Sequence, residues 1–202
     1  MRTISLPVKR AIDLVAAGLL LVISAPVMAA IALAIKLDSR GPVLFSQQRE
    51  GWHGEAFRIH KFRTMVVGAA DGAAVSSIDD ARVTRVGRWL RVNSLDELPQ
   101  LVNVLRGDMS LVGPRPLLPG TTAAAETRRW AMRPGLTNLV EVSDAHLLDW
   151  DARMQLDILY VDGWSLWLDL KILFKTVPVI FGRKDAVDPP RVSTDVPKGE
   201  TT

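Results

Sequence analysis

The sequence contains no cysteine. That absence excludes disulfides, thiolate catalysis and cysteine-ligated metal sites together. Histidine is nearly as scarce, with only His53, His60 and His146. No pair of them has the spacing of a zinc site, so a histidine-held metal is not expected. A dominant charge is also missing. Lys and Arg number 25 against 22 Asp and Glu in 202 residues, a formal excess of +3, which is too small to argue for nucleic acid as a partner. No internal repeat is present. The length suits one compact domain, or a small domain joined to a membrane element.

What is present begins with an apolar run. From Leu14 to Ile35, "LVAAGLLLVISAPVMAAIALAI" carries no charge and is long enough to cross a hydrocarbon core, which takes about 20 residues. A cleaved signal peptide would have Lys9 and Arg10 before it and small residues near Ala29 and Ala30, but the run continues past that point. A spanning helix and a re-entrant helix both stay open. Ser24 and Pro26 sit in mid-segment, where proline removes a hydrogen bond and bends a helix. Both flanks are basic, Lys9 and Arg10 on one side, Lys36 and Arg40 on the other. Such symmetry gives no orientation for a crossing and suits a segment that enters and leaves on the cytoplasmic side.

Beyond it, Val43–Gln48 and Ala56–Lys61 are expected to form a hairpin around a turn with Gly51 and Gly54. Lys61 and Arg63 follow as a basic pair, and Val66 to Ala81 has the composition of a mobile loop. Arg85, Arg88 and Arg91 would line one helical face, either solvated or ligand-binding. Leu95, Leu98, Leu101, Val102 and Leu105 repeat at helical spacing, and Gly107 is a natural stop. "RPGLT" is a rigid turn bearing Arg133, and two helices follow in "WDARMQLDILYV" and "WSLWLDLKILFKTVPVIF". The second is expected in the core, with the membrane interface as the other reading of its tryptophans. The tail from Gly182 is polar, proline-rich and expected to be disordered.

Asp96 and Glu97 are adjacent acids at a helix start. Ser94 with Glu97 fits a capping box, and acids suit the first turn of a helix. Around them, Lys61, Arg63, Arg91, Arg115 and Arg133 lie in or beside turns, and Pro114 and Pro116 stiffen the backbone at Arg115. Guanidinium groups bind phosphate through two donors, whereas bare carboxylates repel it unless a divalent cation bridges them. Arginines and acids together therefore suggest a Mg²⁺–diphosphate site. An acid there either holds the metal or attacks phosphorus.

The apolar segment with its proline, "KFRTM", "SLDELPQLVNVLRGDMSLVGPRP", "RPGLT" and "DILYV…SLWLDLKILFKT" closely resemble the bacterial sugar transferases, the small monotopic phosphoglycosyl transferases, from about Lys9 to Thr176. The resemblance implies transfer of a sugar-1-phosphate from a UDP-sugar to undecaprenyl phosphate, releasing UMP, as the first membrane step of polysaccharide or glycoconjugate synthesis. It implies Asp96 as nucleophile and Mg²⁺ ligand, Glu97 as the residue that activates or orients the acceptor, and Lys61, Arg91 and Arg115 as phosphate contacts. It also implies that Ser24 and Pro26 break a re-entrant helix, which leaves the enzyme on the cytoplasmic face of the inner membrane. The family usually continues Gly-Trp-Ala-Gln-Val-Asn-Gly-Arg after this turn. Here Asn138 to Ala145 reads "NLVEVSDA", so Leu139, Glu141 and Ala145 replace the aromatic, the glutamine and the sugar-nucleotide-binding arginine.

The expected architecture is mainly α with a small β-hairpin. Residues 1–40 would form the re-entrant helix, 41–182 the cytoplasmic catalytic domain and 183–202 a disordered tail. The other reading is a non-catalytic protein of the same fold that binds polyprenyl phosphate or a partner. Sugar, pathway and oligomeric state, including a homo-oligomer, stay open.

Overall fold

The computed structural model describes residues 2–69, 80–143 and 149–182. Helix α1 runs from Arg2 to Asp38 with Pro26 inside it. At 1.5 Å per residue it extends roughly 55 Å. Leu6–Asp38 is long and apolar enough to cross a membrane. Proline withdraws the N–H that would meet the Val22 carbonyl, and Ser24 donates back to the Leu21 carbonyl at 3.4 Å.

One face of α1 meets the rest of the chain near both ends. Close to its start, Arg10 donates to the carbonyls of Val104 at 2.7 Å and Leu105 at 3.2 Å. Asp13 accepts from the Ser110 hydroxyl at 2.7 Å and from Leu111 N at 3.2 Å. Close to its end, Ile31 and Ile35 are buried with Phe62 and Leu90, and Asp38 accepts from Val86 N at 3.0 Å. The opposite face is bare: Val15 and Val22 are each 73% exposed and Leu37 is 80% exposed.

Strands β1 (Leu44–Glu50) and β2 (Ala56–Phe62) form the expected hairpin. The antiparallel register pairs Phe45 with Lys61, Gln47 with Ile59 and Arg49 with Phe57. Directly opposed residues share a face, so Arg49 and Lys61 point to one side. Segment 66–81 falls mostly outside the described residues, but its ends are tied. Met65 bridges Val83, and Arg82 donates to the Ala69 carbonyl at 2.8 Å. Helix α2 (Arg85–Val92) follows, capped by Thr84, whose hydroxyl accepts from Gly87 N at 3.0 Å. A Cβ on Gly87 would lie 2.0 Å from the Thr64 carbonyl oxygen, so only glycine permits this approach of helix to strand end.

The capping box read into Ser94 and Glu97 does not form. Ser94 adopts the left-handed conformation (φ 54°) with no side-chain cap, Leu95–Glu97 is a single 3-10 turn, and α3 covers only Gln100–Arg106. The Glu97 carboxylate goes instead to Lys61 on β2. Buried Asn103 on α3 clamps β2 at two points, accepting from His60 N at 3.1 Å and donating to the Arg58 carbonyl at 2.8 Å. Gly107 ends the helix at φ 99°, as expected of a left-handed cap.

A second sheet was not expected. Ser110–Val112 (β3) and Gly135–Thr137 (β4) pair in parallel. Their approach depends on Gly113 and Gly135, where an added Cβ would fall 2.2 and 2.1 Å from backbone atoms. A 3-10 helix covers Ala124–Ala131, and α4 (Trp150–Gly163) and α5 (Leu166–Gly182) complete the described chain. Among the described residues the fold is therefore mostly helical with two two-stranded sheets. The main core gathers Ala17, Leu101, Val104, Met109, Leu111, Tyr160 and Ile172. Helix α5 puts Asp169 and Ile172 inside and leaves Trp167 and Phe174 63% and 71% exposed. The expected tail, 183–202, lies outside the described residues.

A buried polar network joins α1 to α5. Lys9 Nζ lies 2.7 Å from Asp169 Oδ2. Asp169 also accepts from the Tyr160 hydroxyl at 2.7 Å and from Trp164 Nε1 at 3.1 Å. Removing one member of a buried ion pair strands the other charge. Asp169→Asn leaves the ammonium of Lys9 with only Asp13, 3.9 Å away, and is expected to cost about 3 kcal/mol. Adding Lys9→Met to that variant is expected to recover more than half of the loss in thermal unfolding of the detergent-held protein. No recovery would show that the network is not held by the ion pair.

Candidate active site

The site is built where the 3-10 turn meets strand β2. Lys61 Nζ contacts Glu97 Oε1 at 2.5 Å. Burial works to raise the Glu97 carboxyl, but Lys61 and Arg115 outweigh it and hold the group below the usual carboxylate range. Asp96 receives no such partner. Burial, and then repulsion from Glu97, push it up to about 6 against the opposing pull of Lys61 and Arg91. Both carboxylates are ionised near neutrality, Glu97 readily and Asp96 at a cost. Separation of that kind marks groups with assigned chemical tasks.

Arg91 leaves α2 toward this turn, and its Nε donates to the Thr64 hydroxyl at 2.9 Å. The contact follows directly from the close approach at Gly87. Arg115 is held through its backbone. Its N–H points at the Asp157 carboxylate at 3.3 Å, and its carbonyl accepts from Arg129 Nη2. Asp157 and Arg129 are themselves a buried pair at 2.5 Å. Burial raises Asp157 to about 6 despite that arginine. The Arg115 side chain, half exposed, is ion-paired with Glu141, and the proximity of Glu141 is the leading reason its guanidinium is held above its ordinary value. Glu141 is one of the residues that sets this sequence apart in Asn138–Ala145. Ala145 lies outside the described residues.

Lys61, Glu97 and Arg115 line one small open cleft with Arg49, Gln100 and Asn138. Two other arginines named from the sequence are engaged elsewhere. Arg63 is buried and donates to the carbonyls of Arg40 at 2.5 Å and Ser39 at 2.8 Å, fastening the end of α1. Arg133 donates to the Gly107 carbonyl at 2.8 Å, and its guanidinium stacks over the Trp52 ring at 4.0 Å. Arg49, Gln100, Asn138 and Asp157 were not singled out in the sequence. Arg49 could have been found from the hairpin register, which sets it on the Lys61 face. Burial, and then the like charge of Arg115, lower Arg49 to about 10.

Among the described residues no group of three or more His, Cys, Asp and Glu side chains is placed to hold a metal ion. Mg²⁺ rarely needs such a cage, since it binds through one or two carboxylates and completes its shell with water and substrate phosphates. Asp96, raised and without its own cation, fits that kind of site. Linkage fixes the effect of this carboxyl on stability. Its folded pKa lies above the unfolded value, so the folded chain holds the proton more tightly, and stability falls as pH rises through about 6. In chelator-containing buffer at about pH 7.5, Asp96→Asn is expected to melt higher than the parent chain, by the equivalent of about 1–2 kcal/mol. The difference should close near pH 4. A lower melting point at both pH values would mean that the ionised carboxylate stabilises the fold.

The chain matches the bacterial sugar transferase family over residues 4–183. It is 48% identical over 185 residues to the undecaprenyl-phosphate glucose phosphotransferase of Komagataeibacter xylinus, covering 84% of this chain and 35% of that one. It is 47% identical over 193 residues to the UDP-glucose:undecaprenyl-phosphate glucose-1-phosphate transferase of Caulobacter vibrioides, covering 88% and 71%. A protein of the same description from Klebsiella pneumoniae is 40% identical over 195 residues, covering 91% and 42%. The chain therefore spans about a third of the first relative and under half of the last. On the match across nearly its whole folded length, this chain belongs to the bacterial sugar transferase family.

Proposed function

We propose that this chain is a membrane-held phosphoglycosyl transferase that moves a sugar-1-phosphate from a UDP-sugar to undecaprenyl phosphate and releases UMP. The observation that carries the reading is the unequal pair Asp96–Glu97 in a setting of basic side chains. A carboxylate destabilised by burial is a stronger nucleophile than one neutralised by a close cation. In the first step an Asp96 oxygen bonds to the sugar-bearing phosphorus, and the bond from that phosphorus to the UMP oxygen breaks. In the second, an oxygen of the acceptor phosphate bonds to the same phosphorus and the Asp96–phosphorus bond breaks, which restores the carboxylate. Glu97, fixed by Lys61, is suited to orienting the acceptor and not to carrying a proton. Arg91 and Arg115 supply positive charge where the phosphates gather. Mg²⁺, held by Asp96 and substrate phosphate oxygens, would neutralise part of the diphosphate charge.

The placement of α1 supports a helix that does not cross. Lys9 and Arg10 near its start, and Ile35 and Asp38 at its end, all contact the same domain. A crossing would leave one of these ends on the far side of the bilayer. The bare middle, from Val22 to Val27, would then dip into lipid and return, with Pro26 at the bend. Exposed Trp167 and Phe174 on α5, with Lys171 5.5 Å from the Trp167 ring, suit the membrane interface. On this reading the site lies on the cytoplasmic face of the inner membrane, within reach of a lipid-borne phosphate. The ion pair of Glu141 with Arg115 favours the second reading, a binding protein without turnover, because a carboxylate occupies a phosphate-binding group.

Purified chain in nanodiscs, supplied with Mg²⁺, undecaprenyl phosphate and UDP-sugars, is expected to release UMP with one donor. UDP-glucose heads the panel because the relatives named above use glucose. Asp96→Asn should remain folded and membrane-bound while losing roughly a thousandfold or more of the rate. Absence of release with every donor, from protein shown to be folded, would favour the binding protein.

A further inference from the structure

The cleft beside Glu97 holds more hydrogen-bond donors than the protein uses. Arg49 Nε and Gln100 Nε2 are both buried without a hydrogen-bond partner, and both residues line that cleft. Gln100 is 2% exposed. A buried donor left unmade costs about 1–3 kcal/mol, so two in one cleft need an account. The other polar side chains there each make at least one hydrogen bond. Lys61 is bonded to Glu97, Arg115 to Glu141, and Asn138 Oδ1 accepts from Glu141 N at 2.8 Å. Arg49 Nη2 donates to Gln47 at 2.6 Å, and Nε on the same edge makes no hydrogen bond. The vacant donors carry one formal positive charge, and a second guanidinium stands near enough to repel it. The complement is an anion rich in acceptor oxygens.

We infer that Arg49 and Gln100 form a subsite for a phosphate monoester, taking first the phosphate of departing UMP and then the phosphate of the lipid acceptor in the same place. The sharing rests on the two-step reading above. In each step the groups that attack and leave phosphorus lie roughly in line. UMP departs opposite Asp96, and the acceptor must attack from that same side. One anion pocket therefore serves two ligands in turn. Lys61 and Glu97, which line the cleft, join it to the turn that carries Asp96.

The test uses the full chain in nanodiscs and measures equilibrium binding of UMP and, separately, of a short water-soluble prenyl phosphate. Arg49→Gln is expected to weaken both ligands by about tenfold to a hundredfold, the worth of a charged hydrogen bond, and Arg49→Lys by less. Gln100→Met is the decisive variant. It removes an unmade buried donor, so the ligand-free protein should melt at the same temperature or higher while losing about three- to tenfold in affinity for both ligands. A drop in melting temperature with unchanged affinity would mean that Gln100 is structural and would overturn the subsite. Loss for only one ligand would overturn the sharing. No loss for either, or no binding of either ligand by the parent chain, would overturn the whole inference. Turnover is scored apart. Sugar transfer with unaffected variants sinks the subsite alone, whereas ligand binding without transfer sinks the transferase reading and the sharing that rests on it, and leaves the anion pocket.

Discussion

Everything at this site depends on one lysine choosing between two acids. Lys61 sits on β2 and closes on Glu97 at 2.5 Å, which leaves Asp96 to bear its burial and the repulsion of its neighbour. The choice is enforced from a distance. Asn103 holds the β2 backbone against α3, and Gly87 lets α2 come close enough for Arg91 to reach Thr64. The left-handed Ser94 opens the 3-10 turn from which Glu97 reaches Lys61 on β2. A stabilising capping box is given up for a costly pair of charges, and such exchanges of local stability are expected at functional sites.

The same economy appears where the domain meets α1. A helix this apolar has no reason to carry buried Lys9 and Asp13 unless they answer to a partner. They do, through Asp169 and Ser110. Tyr160 and Trp164 complete the network from α4 and the residue after it. The bare stripe of α1 and the aromatic face of α5 are thereby tied to the domain that carries the site. That attachment matters for a reaction between a soluble nucleotide and a lipid-borne phosphate, because both must arrive within bonding distance of one carboxylate.

Much of this was legible in the sequence, for reasons that differ by element. The apolar helix, the hairpin, α2 and the two late helices announce themselves by periodicity and by their glycines. The β3–β4 pair does not, since three residues a side carry no pattern and their pairing rests on the meeting of Gly113 and Gly135. Asp96 and Glu97 stood out, yet local rules assigned Glu97 to a cap because its true partner, Lys61, is distant in sequence. A place in a turn did not tell which arginine meets phosphate. Arg63 and Arg133 are taken by carbonyl oxygens, while Arg49 falls just beyond a strand expected to end at Gln48, two residues short of its actual end.

The central claim is that Asp96, and not its charged neighbour, bonds to phosphorus. Incubating the purified chain with UDP-sugar in the absence of acceptor, followed by acid quench and peptide mass spectrometry, tests it directly. The account predicts a phospho-sugar adduct on Asp96 that disappears when undecaprenyl phosphate is added. An adduct on Glu97, or UMP release that needs the acceptor from the first turnover and leaves no adduct, would contradict it.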